Sequence, residues 1–144
     1  MPDEPNAHLA LLGRLRRGIL TTIKRDGRPQ LSVVSYHCDL ATAVVRISTR
    51  SPLAKTANLR RDPRISLLAT TEQMRPYVVA EGDAELGAVA QRPDDATVDE
   101  LVEHYRELNG EHPDWDEFRA AMVAEERLVV RFTVTRTYGM PPLG

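Results

Sequence analysis

Apolar and polar positions along the chain follow two rhythms, and the changes between them mark out the elements. Leu9, Leu12 and Leu15 recur at helical spacing with Arg14, Arg16 and Arg17 off that line, which predicts a short helix over 7–16 ended by Gly18. Runs rich in β-branched residues then predict strands at 19–24, 30–38, 43–49, 64–70 and 77–86. A last long strand is predicted at 128–138, with Leu128, Val130, Phe132 and Val134 inward. Asp26-Gly27, between the first two strands, is a hairpin signal because both residues tolerate positive φ. Along 30–38, alternation puts Gln30, Ser32, Val34 and Tyr36 on one face and Leu31, Val33, Ser35 and His37 on the other. Neither face is wholly apolar, so part of this strand is expected to line a wet or ligand-filled groove.

Helical spacing returns three times. Ser51 and Pro52 predict a helix start, a hydroxyl cap followed by a ring with helix-ready φ, and the helix runs over 52–61 until Asp62-Pro63 ends it. Asp94 and Asp95 open an acidic helix whose Val98, Leu101, Val102, Tyr105 and Leu108 form one apolar stripe, stopped at Asn109-Gly110. Asp114 with Glu117 reads as a capping box for a further helix carrying Trp115, Phe118 and Met122. The tail Tyr138-Gly139-Met140-Pro141-Pro142 cannot continue a ladder. Early strands joined by tight turns favour antiparallel pairing. The expected fold is therefore mainly β (α+β), a small antiparallel barrel of about six strands with peripheral helices, in one domain over 1–144.

Composition changes this picture only locally. The net charge of −2 gives the molecule no strong pull toward nucleic acid or a membrane surface. Yet fifteen of the 21 acidic residues lie at 81–126, among only three basic ones. Arg46, Arg50, Lys55, Arg60, Arg61 and Arg64 meanwhile crowd around the 52–61 helix, offset only by Asp62. A helix start carries unpaired N–H donors, so this stretch reads either as an anion site with Lys55 one turn along or as a solvated basic helix. No apolar run is long enough to span a bilayer, and Met1–Asn6 lacks the pattern of a signal peptide, so a cytoplasmic setting is expected. Cys38 is the only cysteine, and His8, His37, His104 and His112 lack metal-site spacing, so no metal is expected. No nucleophile elbow or glycine-rich phosphate loop is present, and Glu81, Asp83 and Glu85 read as a solvent-facing strand side. An anion site without an evident acid, base or nucleophile suits a protein whose chemistry belongs to a bound cofactor.

The order of several segments resembles the split β-barrel oxidoreductases related to pyridoxamine 5′-phosphate oxidase, and within them the actinobacterial branch that binds the deazaflavin coenzyme F420. The matching pieces are T-T-I-K-R-D-G-R-P-Q-L-S at 21–32, S-P-L-A-K-T-A-N-L-R-R-D-P-R at 51–64 and A-E-G at 80–82. The 104–123 region and T-Y-G-M-P-P at 137–142 match as well. The resemblance implies a homodimer with the cofactor in a groove between two split barrels. It places Gln30, Leu31, Ser32 and Val33 beside the cofactor ring, and Ser48, Thr49 and Lys55 at its phosphate. Arg60 and Arg61 fall near its tail, and Arg75, Pro76, Tyr77 and Tyr138 close the groove. Leu53 stands where relatives often carry a basic residue, and Val33 where some have a polar one. The implied activity is hydride transfer from reduced F420 to a small conjugated substrate. The alternatives are an FMN-dependent oxidoreductase of the same fold and a non-catalytic F420 carrier. Nucleic acid and membrane are not expected partners.

Overall fold

A computed structural model describes residues 4–140, with side chains from residue 7. The Pro141-Pro142 part of the predicted tail lies outside these residues. The elements, in chain order, are α1 (Glu4–Arg14), β1 (Arg17–Ile23), β2 (Pro29–Ser35), β3 (His37–Asp39), β4 (Val44–Arg50) and α2 (Ala54–Arg61). They continue with β5 (Arg64–Thr70), β6 (Tyr77–Leu86), α3 (Ala96–Asn109), α4 (Trp115–Ala124), β7 (Arg127–Thr133) and β8 (Arg136–Met140). All strand pairs are antiparallel, in the order β2-β1-β5-β6-β7-β4-β3, with β8 beside β6 off this path. This is the split-barrel architecture expected from the sequence.

Among the described residues, eight strands replace the expected six because two of the predicted strands each divide where the chain changes neighbours. The first division is at Tyr36. β2 and β3 follow one another in the chain yet lie at opposite ends of the strand order, so the sheet curls and Tyr36 carries the chain across the gap. Its ring is fully buried, its hydroxyl donates to the Leu12 carbonyl at 2.6 Å, and burial pushes its phenol pKa up. The second division lies between β7 and β8. Val134 N–H donates to Ala43 and Thr135 N–H to Glu81, which moves the chain from the β7 side of β6 to a separate position along it. The first half of β6 pairs with β8 and the last three residues with β7. Gly82 sits at this exchange, where a Cβ would lie 2.4 Å from the Thr133 carbonyl oxygen. Only glycine allows the backbones to come so close there.

Two helix starts also differ from expectation. α2 begins at Ala54 after an uncapped Leu53, not at a Ser51 cap. The Ser51 hydroxyl instead accepts from Arg60 at 2.9 Å, and the Ser51 N–H is held by the Glu126 carbonyl. Asp114 does cap α4 by accepting from Glu117 N–H, but its own N–H donates to His112 Nδ1, so the box is half made. At the β1–β2 turn Gly27 has positive φ and Asp26 does not, because the loop has three residues and needs one left-handed position, not two.

The barrel interior is filled by Leu20, Tyr36, Val45, Ile47, Leu67, Leu128 and Phe132 with their neighbours. A second apolar cluster joins Val98, Leu101, Val102, Phe118 and Met122 to Val129, so β7 is covered on both faces and α3–α4 lie over its outer side.

Candidate functional site

The site is built on α2, which the sequence marks by charge and the structure fixes by uncharged contacts. Asn58, buried, donates to Thr22 Oγ1 of β1 at 3.1 Å and to Gln30 Oε1 of β2 at 2.8 Å. Thr56 donates to the Arg50 carbonyl at 2.8 Å and meets Thr49 Oγ1 at 3.3 Å. Arg61 donates to the Ile23 carbonyl. The K-x-x-N spacing thus sends Lys55 and Asn58 to different tasks: Asn58 locks the helix to two strands, and Lys55 is left at its exposed start.

A cleft of about 440 Å³ opens beside that start. Of the predicted residues, Val33, Ser48, Thr49 and Lys55 line it. Arg50, Leu53 and Arg127 join them, while Leu101, His104, Tyr105, Leu108, Phe118 and Met122 form the opposite wall. Arg127 is the residue that sequence reading missed. It lies at the start of β7, 72 positions from Lys55 in numbering, and only the β4–β7 pairing of Arg50 with Arg127 brings it in. Its guanidinium reaches Ser48 Oγ at 3.4 Å and pairs with Glu125 at 2.8 Å. Burial, and then the charge of Arg127, lower the Lys55 pKa. Two cations thus share a half-buried corner where one destabilises the charge of the other, an arrangement an anion would relieve.

A second depression, about 520 Å³, lies on the other side of α2 between Lys24, Arg25, Gln30, Asn58, Arg60 and Arg61. Arg60 is tied to Ser51 and Arg61 to the end of β1, both through uncharged acceptors. Among the described residues, Lys24, Arg25, Arg50, Lys55, Arg60 and Arg61 have no carboxylate partner.

Leu31, Ser32, Arg75, Pro76, Tyr77 and Tyr138 line neither space. Ser32 turns inward, its hydroxyl buried without a partner. Leu31 and Val33 stand on the outer face of β2, 61% and 76% exposed. The register explains how they relate to Tyr138. Val33, Ile19, Leu68, Val79 and Tyr138 are successive Cα partners across β2, β1, β5, β6 and β8, so all five project from one face. Val33 and Tyr138 are four strand spacings apart, about 19 Å measured along the curled sheet. Tyr138 is half exposed, and Met140, paired with Tyr77, shares its face. Sequence reading named both ends of this row without seeing that they lie so far apart.

One family model matches nearly the whole described chain. The model of the pyridoxamine 5′-phosphate oxidase family covers residues 5–140. The chain belongs to that family. Solved structures agree on the fold. The Mycobacterium tuberculosis protein Rv2991 superposes with a TM-score of 0.70 at 25% identity, over 96% of this chain and 84% of that one. An F420 reductase superposes at 0.65 with 20% identity, over 91% and 95% of the two chains. General stress protein 26 from Bacillus anthracis str. Sterne gives 0.63 and 16%, over 97% and 96%. Among the described residues of this family member, no helix is long and apolar enough to cross a membrane, and no group of three or more His, Cys, Asp or Glu could hold a metal ion.

Proposed function

We propose that the chain is an oxidoreductase that binds coenzyme F420 in a groove between two copies of itself. The observation that carries this reading is the pair of depressions on either side of α2, where Arg50 and Lys55 on one side and Lys24, Arg25, Arg60 and Arg61 on the other have no carboxylate partner among the described residues. Lys55, Arg127 and Ser48 suit a phosphate: two positive charges and a hydroxyl in a half-buried corner, with the Lys55 pKa lowered by burial and then by the charge of Arg127. Lys24, Arg25, Arg60 and Arg61 supply more charge beyond that corner than a single phosphate requires, which favours a cofactor with an acidic tail. When bound, the reduced deazaflavin supplies a hydride to a conjugated acceptor. The chain's own share is to hold the phosphate at Lys55 and Arg127, to orient the ring along Gln30–Val33, and to exclude water with the apolar outer face of β2.

The homodimer belongs to the same proposal. Leu31, Val33, Tyr138 and Met140 form an exposed apolar face that a second copy would cover. Across about 19 Å of curled sheet, Tyr138 cannot close the groove over Val33 of its own subunit, but a two-fold partner can bring its Tyr138 there. A cytoplasmic setting fits the unpaired, buried Cys38, whose thiol pKa burial pushes up to about 11.

A specific observation favours FMN as the second reading. Arg60 and Arg61 already hold Ser51 and the Ile23 carbonyl, so their hydrogen bonds are engaged, and Lys55, Arg127 and Ser48 alone would satisfy one terminal phosphate. Titrating the protein with F420 and with FMN, followed by cofactor fluorescence, decides between them. Tighter F420 binding supports the proposal, and tight FMN binding with none of F420 overturns it. Loss of the reduced-cofactor signal on addition of quinones then distinguishes an enzyme from a carrier.

A further inference from the structure

The phosphate corner and the outer face of β2 leave one half of the cleft without a task. Its wall is Leu101, Tyr105 and Leu108 from α3 with Phe118 and Met122 from α4. Tyr105 and Phe118 meet edge to face at 5.1 Å, with Trp115 packed on both at 5.7 and 5.5 Å, so the wall is rigid as well as apolar. Aromatic edges and a thioether favour flat ligands over branched ones.

Beside Asn109 and the Tyr105 hydroxyl, one buried polar side chain borders this half, His104. It is 7% exposed, and neither ring nitrogen has a hydrogen-bond partner among the described residues. Nδ1 is sealed from solvent, which leaves Nε2 to meet a ligand, on a side chain that lines both this cleft and the depression beside His37 and Glu100. Burial above all, with His37 and Arg46 adding to it against Glu100, lowers its pKa to about 4. The ring is therefore neutral at ordinary pH and offers a hydrogen bond, not a counter-charge. A cavity of about 440 Å³ is within the range of small-molecule sites.

We propose that the α3–α4 half of the cleft seats the electron acceptor, a flat conjugated carbonyl compound, whose oxygen accepts a hydrogen bond from His104 Nε2. The inference rests on the oxidoreductase reading for the word acceptor, and on geometry alone for the pocket. Charge belongs to the Lys55 end of the cleft and a neutral oxygen to this one.

Menadione, a flat quinone, is the probe, and Trp115, the single tryptophan, is the reporter. Menadione should quench Trp115 fluorescence saturably and shift the imidazole ¹⁵N resonances of His104 toward the Nε2–H tautomer. His104→Leu should weaken binding about tenfold, and His104→Gln, which keeps a donor, should recover part of the loss. The ¹⁵N measurement on the unmutated protein carries the test should either variant fail to fold. Unchanged His104 resonances at saturation, or displacement of menadione by F420 or FMN, would overturn the proposal. If neither cofactor binds but menadione does so through His104, the pocket stands and the oxidoreductase premise falls.

Discussion

The two walls of the cleft use charge in opposite ways. On α3, carboxylates find partners: Glu100 bridges Arg46 and Arg131, Asp99 takes Arg119, Glu103 takes Arg106, and Glu107 meets the His37 ring. On and around α2, Lys55, Arg50, Arg60 and Arg61 have no carboxylate partner among the described residues. The acidic helix uses charge to hold itself to β4 and β7, whereas α2 is held by Asn58, Thr56 and apolar Leu59. A helix whose seat needs no charge can leave its charges for a ligand. The number of charges does not separate the two helices; their partners do.

That contrast can be broken in four places. The largest effect is expected at His104. Its folded pKa, about 4, lies below the ordinary value of 6.5, so the unfolded chain binds a proton between those values and the folded chain does not. Stability should be full above about pH 6.5 and fall toward pH 4, by up to roughly 3 kcal/mol. Urea melts should show wild type losing that stability relative to His104→Leu as pH falls through the window, and parallel curves would contradict the shift. Next is Glu100→Ala, which strands two partly buried arginines and should cost about 2 kcal/mol, between the values for exposed and buried pairs. An unchanged urea midpoint would show that α3 is not held by charge.

Lys55→Ala should do the reverse. Its urea midpoint should stay within about 0.5 kcal/mol of wild type, while cofactor affinity falls about tenfold, a loss on the order of 1.5 kcal/mol. Equal losses in both would mean that the two walls are alike. The smallest effect is expected at Arg106→Ala. Its pairs with Glu103 and Glu111 are exposed, and only its stacking on Trp115 at 4.8 Å adds to them, so about 0.5 kcal/mol is expected.

Much of this was legible in local chemistry. β5 and β6 coincide with their predicted spans because tight connections and alternation left no competing reading. The Asp95 cap and the Gly110 stop of α3 came from residues whose roles are local. The Ser51 cap failed because Arg60, nine residues on, claims that hydroxyl, and no cap rule sees so far. The site divided along the same line. Lys55, named from its charge and place on the helix, and Val33, Ser48 and Thr49, named through the family resemblance, do share a cleft, while Arg127 and His104 were not named, since strand register and the seating of α3 place them there.

The sequence by itself determined the alternation of faces along β2, the position of α2 and the concentration of positive charge upon it, because each depends on neighbours within a few residues. Tertiary structure alone decided which strands divide, which charges are neutralised and which residues meet. Those outcomes depend on how a curled sheet returns to itself at Tyr36 and exchanges partners at Gly82, and a chain learns of such distant neighbours only by folding.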